Sequence, residues 1–213
     1  MSTAAAQVEG LYHVRKGVVD FVDVPEMGYV TVAGAGAPGG AQFKAAVEAL
    51  YTVSYTAHFM ARKAYGDAPR VMPLEALWWV DDPEFQLAKA IAEGKASITP
   101  SDPERWNWQA MIMQSEPIDA ALIASAVKQA GAKKPLAMLD RLRYERWIEG
   151  RSAQLLHVGP YSAEGPSIVK LHEAIVAQGC RPRGRHHEIY LGDPRRSAPE
   201  RLRTILRQPV EPV

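Results

Sequence analysis

The sequence has little cysteine, no excess of charge of either sign and no long apolar run. Its single cysteine, Cys180, excludes an internal disulfide bond and lacks the cysteine and histidine companions of a zinc site, which is typical of a reducing compartment. Lys and Arg number 25 against 24 for Asp and Glu, and the net charge of +1 argues against nucleic acid or an anionic membrane as partner. No stretch reaches the ~20 apolar residues of a membrane helix. No apolar run at the N-terminus has the form of a signal peptide, and we therefore expect a cytoplasmic protein.

Several motifs of catalysis and cofactor binding are also missing. The glycine-rich loop at residues 34–40 lacks the Lys-Ser/Thr ending of a P-loop and the spacing of a dinucleotide-binding loop. No G-x-S-x-G elbow is present, and Cys180 has no base nearby in sequence, so covalent catalysis is not indicated. His186 and His187 are adjacent, and adjacent strand residues point to opposite faces, which disfavours a shared metal ion. We therefore expect neither a metal nor a cofactor.

The chain does have enough apolar residues for a substantial core, since 47% of its 213 residues are hydrophobic. Periodicity and breaker residues predict alternating strands and helices, while residues 142–149 fit either a strand or a short helix. The predicted strands cover residues 21–25, 29–33, 70–80, 106–114, 152–158, 186–191 and 202–208. A turn is predicted at 25–28, and helices at 41–63, 82–93, 118–130 and around Ile168 to Ile175.

The predicted elements repeat. Each half runs strand, glycine-containing loop, helix, strand, strand, which indicates an α+β fold made by duplication. We expect an N-terminal arm at residues 1–17, followed by a single domain at 18–213. Its repeats would cover about 18–116 and 150–213, with a linking helix at about 117–134. Paired repeats would form a curved, mainly antiparallel sheet with the helices on its outer face.

Two glutamates stand at matching positions of the repeats. Glu75 lies in MPLEALWW and Glu188 in HHEIYL, both apolar, aromatic stretches that otherwise have the composition of a strand. A strand glutamate considered alone is more often exposed or paired with an arginine, and Arg70, Arg183 and Arg185 are near in sequence. The matched pair favours a different interpretation, in which both carboxyl groups line one apolar cleft as an acid/base pair. The roles within the pair are not assigned.

Aromatic residues accompany the two glutamates. Four of the five tryptophans, each of which considered alone is better explained as core, fall on two adjoining strand segments. Tyr190 shares a strand face with Glu188, and His157 and Tyr161 stand either at the edge of the cleft or in an ordinary tight turn. A cleft of this composition suits a planar aromatic or cationic small molecule. The residues predicted to contact the ligand are Tyr55, Trp78, Trp79, Trp106, Trp108, His157, Tyr161, His187 and Tyr190.

Five segments carry a resemblance to a known family. The segments 47–51 (with 54–55), 72–79, 106–114, 157–161 and 186–194 resemble the GyrI-like small-molecule-binding family, and the last is highly specific. The resemblance implies duplicated strand-helix-strand-strand (SHS2) units around a central ligand cleft. In transcription regulators of this superfamily a buried glutamate attracts cationic drugs, and Glu188 matches that position.

Within the family, the chain looks most like the branch of the cyclopropanoid cyclopropyl hydrolases, which detoxify DNA-alkylating compounds of the yatakemycin and CC-1065 type. The resemblance implies a cofactor-independent hydrolase with Glu75 and Glu188 as its catalytic acids. The alternative is a non-catalytic module that binds planar cationic drugs or inhibits a partner such as gyrase. The sequence does not specify an oligomeric state.

Overall fold

The computed structural model describes residues 8–81 and 105–213. Strands and helices alternate as expected of an α+β protein: strand, helix, strand, strand, a connecting helix, and then the same order again with one short extra strand. Their bounds are β1 Val19–Ala35, α1 Ala41–Tyr65, β2 Leu74–Trp79, β3 Asn107–Gln114, α2 Ala120–Lys133, β4 Arg143–Val158, α3 Gly165–Ala177, β5 Cys180–Pro182, β6 His186–Tyr190 and β7 Arg203–Pro212.

The described residues form two compact units. Unit A comprises residues 8–25, 77–81 and 148–213, and unit B comprises 26–76 and 105–147. These boundaries differ from those of the two repeats, and the division into repeats remains a prediction. The predicted helix at 82–93 lies outside the described residues. Within the described residues, no helix is both long and apolar enough to span a membrane.

Unit B is built on antiparallel pairing of β1 with β3, in a register that runs from Gly28 opposite Gln114 to Ala35 opposite Asn107. The turn predicted at residues 25–28 is wrong, because β1 continues through it. Gly28 serves close packing and not chain reversal, since a Cβ atom at this position would overlap the hydroxyl group of Tyr144. The helices α1 and α2 pack on each other, and α1 also packs on β3.

Trp108 is part of the interior of unit B. Its side chain is fully buried and meets Phe43 edge to face, with 5.2 Å between the ring centroids. Gly34 pairs with Trp108 across the β1–β3 ladder and leaves room for the indole ring. A Cβ atom at Gly34 would overlap the six-membered part of that ring and the side-chain oxygen of Gln42.

We therefore expect Gly34→Ala to lower the free energy of unfolding by about 1–3 kcal/mol, the usual cost of an overpacked core. Chemical denaturation measures this difference. Gly10→Ala is the matched control, since no atom lies within 4 Å of a Cβ built at Gly10. Equal stability of the two variants would show that the packing around Trp108 is loose.

Unit A is organised around β7, which pairs antiparallel with three strands. Its partners are β4, from Ser152 opposite Pro209 to Val158 opposite Arg203, β6, from His187 opposite Arg207 to Tyr190 opposite Thr204, and the short β5. Helix α3 packs on β5 and β7. The buried core between the helix and these strands consists of Ala153, Leu155, Leu171, Ile175, Leu206 and Val210.

The segment left open at residues 142–149 belongs to β4. This strand also contains the predicted strand 152–158 and is 16 residues long. Its first part is largely exposed, and its second part buries the polar side chains of Ser152, Gln154 and His157. Neither part shows the apolar alternation by which a half-buried strand is recognised.

Candidate functional site

The centre of the candidate site is a line of three hydrogen-bonded side chains in unit A. Glu188 and Tyr190 point to the same face of β6, and the Tyr190 hydroxyl donates to Glu188 Oε2 at 2.7 Å. The indole N–H of Trp78 donates in turn to the Tyr190 oxygen at 2.9 Å. Burial, and then the charge of Glu188, raises the pKa of Tyr190 well above its ordinary value. The phenol therefore remains a hydrogen-bond donor to the Glu188 carboxylate at neutral pH.

Tyr161 adds a third aromatic ring to those of Tyr190 and Trp78, and this ring is partly exposed to solvent. Its ring meets Tyr190 edge to face at 5.5 Å between centroids, and 38% of its surface is exposed. His157 holds the turn that presents it: Nε2 lies 3.3 Å from the Pro160 carbonyl, and Nδ1 lies 2.9 Å from Ser167 Oγ. Because a carbonyl only accepts, His157 donates from Nε2, and in the neutral ring Nδ1 then accepts from the Ser167 hydroxyl. His157 thus positions Tyr161.

Glu164 places a second carboxyl group beside Glu188. It directly precedes α3, where a residue usually caps the helix, but its side chain makes no capping hydrogen bond. Instead it is buried, and its Oε1 atom has no hydrogen-bond partner among the described residues. Burial, and then the negative charge of Glu188, raises the pKa of Glu164 to about 9, although the Thr204 side chain partly opposes the shift. Glu164 is therefore a neutral acid at neutral pH.

The sequence reasoning missed Glu164. The segment Gly159-Pro160-Tyr161 has the composition of a turn, and Glu164 follows it at what the sequence predicts to be an ordinary helix start. One signal was available. Glutamate is not among the residues preferred at a helix N-cap, where Ser, Thr, Asp and Asn dominate, so a glutamate there is a candidate for another role.

The raised pKa of Glu164 predicts a stability that falls as pH rises. The folded protein retains a proton on Glu164 that the unfolded chain loses near the ordinary glutamate pKa of 4.5, so folding is progressively penalised between about pH 4.5 and about pH 9. We expect Glu164→Gln to be more stable than the wild type by about 1 kcal/mol or more at pH 8, and to gain less at pH 5. Thermal unfolding at both pH values tests this.

Glu173→Gln is the control for that experiment, because Glu173 is an exposed residue of the same helix. It is expected to change stability little at either pH. A gain for Glu164→Gln that did not depend on pH would contradict the assignment of a buried, protonated Glu164.

The two adjacent histidines lie in different surroundings. His187 is fully buried, and its Nδ1 atom lies 2.8 Å from Glu149 Oε1. Glu149 also accepts from Arg207 Nη1 at 3.1 Å, and both Glu149 and Arg207 are buried. His186 lies on the other face, with its Nε2 atom 3.5 Å from Glu188 Oε1. Of the two, the structure brings only His186 to the Glu188 carboxylate.

Trp79, another predicted ligand contact in unit A, already has a cation on its ring. The Arg185 guanidinium carbon lies 3.5 Å from the ring centroid. A stacked guanidinium of this kind is a cation–π contact, and a ligand that used this face of Trp79 would have to displace Arg185.

The remaining predicted site residues belong to unit B. Glu75 is completely buried in β2. Tyr55 is 51% exposed on α1, where it stacks on Tyr51 at 6.2 Å. Trp106 is partly exposed just before β3, and its carbonyl accepts from the Gly36 amide. The pairing of Glu75 with Glu188 and the ligand contacts of these residues remain predictions.

Taken together, unit A contains an ionisable carboxylate, a neutral carboxylic acid and a phenol beside one another, with an indole behind them. This set can accept a proton, donate a proton and contact an aromatic ring. Among the residues that the structure describes, no three His, Cys, Asp or Glu side chains form a group that could hold a metal ion.

Comparison with known proteins gives matches in sequence and in structure. Residues 112–211 match the GyrI-like small-molecule-binding domain. No curated protein matches the sequence. Among solved structures, an uncharacterized conserved protein from Listeria innocua is 31% identical, with a TM-score of 0.82, and the match covers 95% of this chain and 97% of that one.

A hydrolase from Listeria innocua is 30% identical, with a TM-score of 0.78, and the match covers 95% of this chain and 96% of that one. The C-terminal domain of EcmrR is 10% identical, with a TM-score of 0.52 and coverage of 92% and 98%, and shares the fold alone. The whole-length similarity to the two Listeria proteins and the domain match agree with the motifs in the sequence, and the chain belongs to the GyrI-like small-molecule-binding family.

Proposed function

We propose that this protein binds a planar aromatic small molecule and hydrolyses a strained cyclopropane ring in it, as in compounds of the yatakemycin type. The observation that carries the proposal is the juxtaposition of Glu188, hydrogen-bonded to Tyr190, with the buried acid Glu164. A hydrolase among the solved structures, similar over 95% of this chain, supports the reaction class.

The proposed reaction adds one water molecule across a cyclopropane fused to a dienone. Glu188 takes a proton from water, and the water oxygen bonds to the ring methylene as the adjacent carbon–carbon bond breaks. The electron pair of that bond passes through the ring system to the dienone oxygen, which takes the proton of Glu164 and becomes a phenol. A proton transfer from Glu188 to Glu164 then restores the starting state.

The surroundings of the two acids suit this sequence of steps. Tyr190 donates to Glu188 and keeps the carboxylate oriented, while the burial of Glu164 keeps a proton available at neutral pH. Trp78 and Tyr161 supply aromatic surface for a flat ligand. Glu75 remains the acid that the sequence predicts as the partner of Glu188, and in this proposal Glu164 is its competitor for that role.

The second candidate function is binding without turnover, which the match to a small-molecule-binding domain favours. Incubation with a large molar excess of yatakemycin separates the two functions. Hydrolysis predicts many molecules of a ring-opened product, heavier by one water, for each protein molecule, as measured by mass spectrometry. Depletion that stopped at one molecule per protein, without that product, would leave only binding.

The role of the second acid can be tested in the same assay. We expect Glu164→Gln to lower the turnover rate by about tenfold or more, because the glutamine has no proton to give to the dienone oxygen. If Glu75→Gln lowered the rate and Glu164→Gln did not, Glu75 and not Glu164 would be the partner of Glu188.

A further inference from the structure

Two histidines lie on the elements that carry the carboxyl groups of unit A, His186 on β6 and His172 on α3. His186 is two residues before Glu188 on the same face of β6, and its Nε2 atom is 3.5 Å from Glu188 Oε1. The side chains of His186 and Glu188 are only 12% and 15% exposed, respectively. Neither ring nitrogen of His186 has a hydrogen-bond partner among the described residues. Such buried, unsatisfied groups are uncommon and call for an explanation.

His172 lies on α3, close enough to His186 for the two rings to interact electrostatically. It is buried, and neither of its ring nitrogens has a hydrogen-bond partner in the described part of the chain. Burial, and then the positive charge that His186 can carry, lowers the pKa of His172 to about 4. His172 is therefore neutral at and below neutral pH, down to about pH 4, and does not compensate a charge on its neighbour.

The other titratable groups near Glu188 keep one charge state between about pH 5 and about pH 8. Glu164 and Tyr190 are protonated throughout, since their pKa values are raised to about 9 and well above 10. His172 is neutral throughout. Histidine is the side chain whose charge ordinarily changes in this range. Of the groups named here, His186 has a ring nitrogen 3.5 Å from a Glu188 oxygen, so a proton taken up by its imidazole would change the charge next to Glu188.

We propose that His186 is an internal counter-ion that competes with a cationic ligand for Glu188. When its imidazole is protonated, it forms an ion pair with Glu188 within the enclosed site, and the carboxylate attracts a ligand cation less. When it is neutral, the carboxylate is free to attract the ligand cation. By reciprocity, a cation bound beside Glu188 expels the proton from His186. The inference rests on the proposed function in that the site binds a planar aromatic molecule, and it adds that the molecule can carry positive charge.

The test uses ethidium, a planar cation whose charge is constant over this pH range. We expect its affinity for the wild type to fall at least about fivefold from about pH 7.5 to about pH 5.5, a coupling of ordinary size between two sites. In His186→Gln the affinity should stay nearly constant over that range. His13→Gln is the control, because His13 is exposed and binds the Glu9 carbonyl, and it should keep the wild-type dependence.

Two further measurements keep the inference testable if His186→Gln does not fold. Calorimetric titration of the wild type at about pH 6, in two buffers of different ionisation enthalpy, should detect proton release when ethidium binds. His172→Gln should leave the pH dependence as it is in the wild type, because His172 is neutral between about pH 5 and about pH 8 and adds no charge next to His186.

Three results would overturn the inference. An unchanged pH dependence in His186→Gln would assign the effect to another group, and a wild type that bound ethidium without proton release would leave no role for His186. Failure to bind ethidium at all would also refute it. Yatakemycin hydrolysis, assayed separately, would still decide the proposed enzymatic function.

Discussion

Replacement of Glu188 by glutamine is expected to reduce the rate of cyclopropane hydrolysis by about 10²–10⁴-fold, the usual contribution of a positioned acid or base. The substitution preserves the size of the side chain and its ability to accept from the Tyr190 hydroxyl, which donates to Oε2 at 2.7 Å in the wild type. It removes only the capacity to take a proton from water. Single-turnover kinetics with excess protein measures the chemical step directly.

The control for this experiment is Glu173→Gln, an exposed glutamate of unit A that should leave the rate unchanged. Binding of a neutral planar compound should survive in Glu188→Gln, because the aromatic contacts remain. A rate within about threefold of the wild type would show that Glu188 is not the base, since such a residual effect is far below the usual contribution of a positioned base.

The second large effect concerns stability. Arg207 is completely buried, and it donates to Glu149 at 3.1 Å, to Gln154 at 3.0 Å and to the Leu11 carbonyl at 3.1 Å. We expect Arg207→Met to lower the free energy of unfolding by about 3–5 kcal/mol, because it leaves the Glu149 carboxylate buried without its arginine partner. Equilibrium denaturation in urea tests this.

Arg181→Met is the matched control, because Arg181 also forms an ion pair with a glutamate in unit A. The Arg181–Glu211 pair is exposed, with 65% and 42% of the two side chains accessible. Exposed pairs contribute about 1 kcal/mol or less. If both variants lost a similar amount of unfolding free energy, burial of the ion pair would not be what determines its contribution to stability.

The same cluster predicts an acid limit to stability. Burial alone would raise the pKa of Glu149, but the charges and hydrogen bonds of His187 and Arg207 outweigh it and lower the pKa to about 2. A carboxyl group whose folded pKa is depressed stabilises the protein above its unfolded value near 4.5, and this contribution is lost as the pH falls toward about 2. Glu149→Gln should therefore cost more at pH 7 than at pH 3, and a cost independent of pH would contradict the ionised state of Glu149.

The sequence predicted most elements of the fold because their signals are local. Helix α1 was expected at residues 41–63 and occupies Ala41–Tyr65, and β6 was expected at 186–191 and occupies His186–Tyr190. The placement of Glu188 and Tyr190 on one face of β6 followed from the two-residue period of a strand, and their hydrogen bond confirms it.

The position of Glu164 beside Glu188 could not be predicted from local sequence signals. Glu164 is 24 positions from Glu188 in the chain. The sequence at the start of α3 does not indicate that the Glu164 side chain is buried near Glu188 on β6. The continuation of β1 through residues 25–28 was missed for a similar reason. The sequence there has the composition of a turn, and only the Tyr144 side chain against Gly28 shows why a small residue stands in a strand.

Burial of polar residues also obscured β4. A buried Glu149 is unexpected in a strand, and it becomes understandable only when His187 and Arg207, from β6 and β7, lie beside it. Such clusters depend on strand pairing, so a single sequence gives little indication of them.

The central claim is that the acid pair of unit A adds water to a strained ring. It is tested most directly by one turnover of yatakemycin in isotopically labelled water, with mass spectrometry of the product. Hydrolysis by Glu188 and Glu164 predicts a single labelled oxygen on the carbon that was the cyclopropane methylene, formed by the wild type and not by Glu188→Gln. Recovery of the intact compound, or the same labelled product at the same rate from Glu188→Gln, would contradict it.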